Sequence, residues 1–103
     1  MREHEPAELL IEHLTAADPT EVTAAVRCLR GPARLGTRFQ QIDGSAAVID
    51  LELTRVVIYG HVVDDLEPGL TALVTLRGTG TGHLRTGDLD SGWQVIRETN
   101  RAH

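Results

Sequence analysis

The chain has 103 residues, 41% hydrophobic and 24% charged, which is the size and balance of one globular domain. No apolar run approaches the roughly 18 residues of a membrane span, so a soluble protein is expected. With 15 acidic residues against 10 basic ones the net charge is -5, and the basic residues, all arginine, never occur three together. That distribution argues against a general nucleic-acid binder, which needs a concentrated positive surface.

At the N-terminus, Met1-Arg2-Glu3-His4-Glu5 is acidic and lacks the basic-then-apolar order of an export leader. A cytoplasmic protein is expected, with a tail over 1–6, one domain over 7–97 and a second tail over 98–103. Residues 7–31 admit two readings. Asp18-Pro19-Thr20-Glu21 has the form of a helix start, with Asp as N-cap and Pro at the first helical position. Val22, Ala25, Val26 and Leu29 then follow at helical spacing. The same segment fits a strand, because Val22, Ala24, Val26 and Cys28 alternate with Thr23, Ala25 and Arg27. Periodicity leaves open an all-β chain and an α+β chain with two N-terminal helices. Cys28 stands alone, so no internal disulfide forms; a reducing compartment and a core position are expected for it.

Beyond Leu35 the pattern is β. Asp43-Gly44 lies between apolar stretches and predicts a two-residue type I′ hairpin turn. Ile49, Leu51 and Leu53 share one face while Asp50 and Glu52 take the other, the alternation of a sheet with one solvated side. Val56 and Ile58 fall out of phase with Leu53, which predicts a bulge near Thr54-Arg55. Glu67-Pro68-Gly69-Leu70 predicts a tight turn with positive φ at the glycine. Ala72, Val74 and Leu76 then alternate with Thr71, Leu73, Thr75 and Arg77. Gly78-Thr79-Gly80-Thr81-Gly82 is expected to be a loop, and it lacks the Lys-Ser/Thr sequel of a phosphate-binding loop. Thr86-Gly87-Asp88 predicts a turn, and residues 93–96 a last strand. The expected core is Leu14, Val22, Val26, Leu35, Phe39, Leu53, Val56, Ile58, Val74 and Leu76.

Three landmarks recur in a recognisable order. They are Arg30-Gly31-Pro32-Ala33-Arg34-Leu35-Gly36, then Tyr59-Gly60 running through Asp64-Asp65 to Gly69, then Leu76-Arg77-Gly78 with Leu84 and Thr86-Gly87-Asp88. Together with residues 7–31 they resemble the second domain of elongation factor Tu and related translational GTPases. The resemblance covers most of the chain and weakens after Gly87, where Asp90 stands at a usually apolar position. It implies an all-β fold, a small antiparallel barrel of six or seven strands, with residues 9–17 and 22–29 as the first two. In that family an acidic residue two before the loop's aromatic, and an Asn two after its closing Gly, hold part of the aminoacyl end of tRNA. Here those positions are Val57 and Thr71, which offer neither a carboxylate nor an amide. The chain has no nucleotide motif, so a barrel standing without its GTPase domain is expected, and the family's task is not carried over.

The densest polar cluster is His61, Asp64, Asp65 and Glu67, expected as a solvated loop; His61 with two carboxylates is the one metal or acid/base arrangement the chain offers. His13 is expected at the barrel rim, with His4, His83 and His103 scattered. Ser45 and Ser91 lie beside glycines but not in a nucleophile elbow. No catalytic residue, cofactor or metal is expected. Candidate partner-binding residues are Arg30, Arg34, Arg38, Tyr59, His61, Asp64 and Asp65. The expected function is a non-enzymatic protein-binding or assembly module whose partner is another protein or a second copy. An RNA- or ribosome-associated accessory is the alternative, should Arg27, Arg30, Arg34 and Arg38 cluster on folding, and a metal-dependent enzyme at His61, Asp64 and Asp65 is the third. Neither DNA nor a membrane is an expected partner.

Overall fold

A computed structural model describes residues 6–90 and 92–99. His4, Ser91, His103 and most of both expected tails lie outside them. The described residues form strands β1 (Glu8–Ala17), β2 (Glu21–Arg30), β3 (Ala33–Arg34), β4 (Arg38–Ile42), β5 (Val48–Ile58), β6 (His61–Val63), β7 (Asp65–Leu66), β8 (Thr71–Thr79) and β9 (Gln94–Glu98), with one short 3-10 turn at Thr81–His83. There is no α-helix among them, and none long and apolar enough to cross a membrane.

The strands run antiparallel in the order β4-β9-β1-β2-β8-β5-β6, and a further β4–β5 pairing closes six of them into a barrel. Closure removes most free sheet edges, which a domain of this size otherwise has to protect. The seventh strand, β6, hangs from the far end of β5, and β3 pairs with β7 separately.

Residues 7–31 are a hairpin, and Asp18 shows why a helix-start sequence folds this way. Its carboxylate accepts the backbone N–H groups of Thr20 and Glu21, both at 2.8 Å. Those are the contacts an N-cap makes, used here to tighten the β1–β2 turn. The turn is sealed by Asp18 N–H donating to Glu21 C=O at 2.8 Å. The two amide bonds are the first causes holding the Asp18 carboxyl below the usual carboxylate range.

Inside, Val22, Val26, Phe39, Leu53, Val56, Val74 and Leu76 are fully buried as expected, and Leu14 and Ile58 pack against them half-buried. Leu9, Ile11, Ile49, Leu51, Leu66 and Ile96 complete the filling. Burying each such side chain is worth about 1.5–3 kcal/mol. The bulge near Thr54-Arg55 is present as a register shift between Leu53 and Arg55 against β8. The Glu67–Leu70 turn closes with a 3.2 Å bond and φ of 91° at Gly69.

Five expectations are corrected. Leu35 is 44% exposed, because its segment crosses the barrel between β3 and β4 instead of lining it. The β4–β5 hairpin has the five-residue loop 43–47 in place of a two-residue turn. Asp43 and Gly44 do form a turn, closed by Ser45 N–H donating to Ile42 C=O at 3.1 Å, but only Gly44 has positive φ, so it is not type I′, and Asp43 donates its N–H to Val95 on β9 at 2.8 Å. Gly78 and Thr79 belong to β8, not to a loop: Gly78 sits opposite Leu51. The last strand starts at Gln94 and runs through Glu98, whose N–H donates to Ala7 C=O at 2.9 Å and whose carboxylate accepts Ala7 N–H at 2.9 Å. Glu98 is thus strand, not tail.

Candidate functional site

The upper part of the barrel wall is apolar on both faces. On the inner face, Ala24 of β2 stands opposite Val74 of β8, Val74 opposite Val56 of β5, and Val56 opposite Val63 of β6. One residue along, Ala25, Leu73, Val57 and Val62 form the same chain of cross-strand pairs. Because successive residues of a strand point to opposite faces, this second row projects outward. Leu73 is 40% exposed and Val62 62%.

A hollow of about 570 Å³ opens over the row, lined by Ala25, Val57 and Leu73, by Thr71 at the start of β8 and by the turn residues Tyr59 and Leu70. A second hollow of about 320 Å³ shares Val57 and Leu73 and adds Thr23, Arg55 and Thr75. The two form one groove across the outer face of β2, β8 and β5. Val57 and Thr71, the positions singled out by the resemblance, both line it.

Tyr59 and Gly60 are the two residues between β5 and β6. Their φ values are 51° and 79°, the sign a type I′ turn requires at both positions. Tyr59 is the one non-glycine with positive φ among the described residues, and it is 97% exposed. A left-handed conformation costs a side chain about 1–2 kcal/mol, and packing within the barrel does not offset it.

The other expected site residues are dispersed. Arg30, Arg34 and Arg38 sit on three different strands. Arg30 lies 3.9 Å from Glu8, and Arg38 reaches Asp50 at 3.0 Å and Glu52 at 3.3 Å. The Asp50 hydrogen bond is the first cause raising the Arg38 pKa. Arg34 on β3 is paired in register with Asp65 on β7. Arg27 lies 3.8 Å from Glu12. His61 is exposed at the start of β6, Asp64 exposed in the bend after it, and Asp65 half-buried. Among the described residues no group of three or more His, Cys, Asp or Glu side chains could hold a metal ion.

Cys28 is fully buried and its thiol donates to Arg30 C=O at 3.2 Å. Burial, first among the causes, pushes its pKa up, the opposite of an activated nucleophile. His13 is exposed on β1. A larger hollow of about 640 Å³ lies between the β1–β2 turn and Gly80–His83. Its polar groups serve the fold: the Asp18 carboxylate is taken by its own turn, and the buried Thr81 hydroxyl donates to Asp18 C=O at 2.6 Å.

Leu70 and Leu73 were not among the expected site residues. The local traces of the groove are the apolar run Val56-Val57-Ile58 at the end of β5 and one leucine among the outward Thr71, Thr75 and Arg77 of β8, and neither shows that the two strands lie side by side.

A closed six-stranded antiparallel barrel with an appended strand is the architecture of a translation-factor β-barrel domain, as the resemblance implied. Among solved structures the chain is similar to translation elongation factor SelB from Methanococcus maripaludis in its apo form, with a TM-score of 0.73 and 8% sequence identity. The match covers 98% of this chain and 21% of that one, so the chain spans about a fifth of SelB. At that identity the likeness concerns the fold alone. No family model and no curated protein matches the chain.

Proposed function

We propose that this barrel is a non-catalytic module that binds another protein through the outer face of β2, β8, β5 and β6, and that it works in the cytoplasm. The outward apolar row Ala25, Leu73, Val57 and Val62 carries this reading. A sheet face turned to water is ordinarily polar, and a contiguous exposed apolar patch marks a surface that a partner covers. Tyr59 adds an exposed aromatic of the kind that anchors interfaces. The likeness to part of an elongation factor supports a domain that works by docking. Ion pairing of Arg27, Arg30 and Arg38 with carboxylates weighs against RNA.

Affinity capture from lysate, with the full chain and with Leu73→Asp, tests it. A discrete protein should be retained by the wild type, survive nuclease and be lost with Leu73→Asp. RNA recovered at low salt and released as salt rises would overturn the reading. A dimer by light scattering that Leu73→Asp dissociates would make a second copy the partner.

A further inference from the structure

We infer that the groove receives an extended peptide that seats an apolar side chain on Val57 and Leu73 and brings a carboxylate to Arg55. This deepens the protein-binding reading and rests on it. Among the described residues Arg34, Arg55 and Arg85 have no carboxylate within 4 Å, and of these three only Arg55 lines the groove. Arg27, Arg38, Arg77 and Arg97 each lie within 4 Å of a carboxylate: Glu12 at 3.8 Å, Asp50 at 3.0 Å, Glu21 at 3.4 Å and Glu8 at 2.9 Å. Arg55 is exposed and has no such partner among the described residues. Asp64, next in register beyond the Val56–Val63 pair, forms no ion pair with it.

What surrounds Arg55 is a binding half-site. It lines the smaller hollow with Thr23 and Thr75, and that hollow runs into the apolar one through Val57 and Leu73. Thr54, the neighbour displaced by the bulge, is already engaged, donating to Thr75 C=O at 3.2 Å. A guanidinium beside two hydroxyls is suited to a carboxylate, which it can hold with two parallel bonds. As the one cation lining the groove of a molecule of net charge -5, Arg55 offers a single anchor point, not the positive stripe that nucleic acid follows.

The spacing specifies the ligand further. Arg55 and Val57 are two residues apart on β5, about 6.5–7 Å along a strand. An extended peptide lying along β5 repeats that distance between its own alternate side chains. It should therefore carry Asp or Glu two positions from an apolar residue.

The test is selection from an unconstrained phage-displayed peptide library on the full chain, followed by fluorescence polarisation with the labelled synthetic peptides. The expected result is enrichment of an apolar residue two positions from an acid. Arg55→Ala should weaken binding about tenfold, equivalent to about 1.4 kcal/mol, and Arg55→Glu should shift the selected acid to a base. Leu73→Asp should abolish binding, and Val57→Thr, which keeps shape and strand preference, should weaken it. Peptides selected without an acid, or indifferent to Arg55→Ala, would overturn this inference and leave the protein-binding reading standing. A dimer that excludes the peptides would overturn it in favour of a second copy. Failure to select any peptide, with labelled single-stranded RNA bound instead, would overturn both.

Discussion

The two halves of β5 obey different rules. Before the bulge, Ile49, Leu51 and Leu53 point into the barrel, while Asp50 and Glu52 point out and meet Arg38. After it, Val56 points in and Val57 out, and the outward neighbours are Leu73 and Val62. The first half is a wall between core and water. The second is apolar on both sides, a composition strands carry when both faces are covered. The same strand thus holds the fold together at one end and presents a surface at the other.

The largest effect that tests this division comes from placing one charge on either side of β8. Val74→Asp faces the core, and an unpaired buried carboxylate there should unfold the domain, seen as loss of a cooperative thermal transition. Leu73→Asp, one residue away, should fold and change stability by less than about 1 kcal/mol. If the two substitutions destabilise alike, the outer row is part of the core and the division fails.

A smaller effect is expected where β8 crosses the lower half of β5. A Cβ on Gly78 would stand 2.0 Å from the Asp50 carbonyl oxygen, and φ there is 151°. Backbone crowded on both counts has little room to yield. Gly78→Ala should lower stability by about 1–3 kcal/mol in urea unfolding, while leaving the groove's ligands bound with unchanged affinity once folded.

The lower half of β5 was legible in the sequence because its signal is local. Alternation at Ile49 to Leu53, the phase change before Val56 and the Pro68-Gly69 turn each depend on neighbours a few residues apart. The groove was not, because it exists only across strands. Ala25, Leu73, Val57 and Val62 are far apart in the chain and become one row through registers that no short window contains. Leu35 failed for a related reason, since an apolar residue in a crossing segment looks like any core residue until the barrel closes. Asp18 was legible chemically but not structurally. Its carboxylate caps two amides as expected, yet the same bonds serve a helix or a hairpin, and only pairing of β1 with β9 and of β2 with β8 decides between them.

Tyr59 sharpens the contrast from the turn that ends the upper half. If a partner is what retains it, the fold should prefer a residue more tolerant of positive φ. Tyr59→Asn should therefore stabilise the domain by about 0.5–1 kcal/mol while weakening partner capture. A loss of stability would mean that the ring supports the barrel after all.

The smallest effect belongs to the turn between β1 and β2, which unlike the Tyr59 turn is held by its own side chain. The Asp18 carboxyl, drawn below its usual range by the Thr20 and Glu21 amides, favours the folded state only while ionised. Its contribution is complete above the unfolded value of about 3.9 and is lost as pH falls through the lower folded value. Asp18→Ala should therefore have a slightly lower thermal midpoint than wild type at pH 7, and the gap should close under more acidic conditions. Asp18→Asn, which keeps one acceptor oxygen for the amides, should sit between them at pH 7 and show little of that pH dependence. A gap between wild type and Asp18→Ala that persists at low pH would mean the turn needs the shape of the side chain and not its charge.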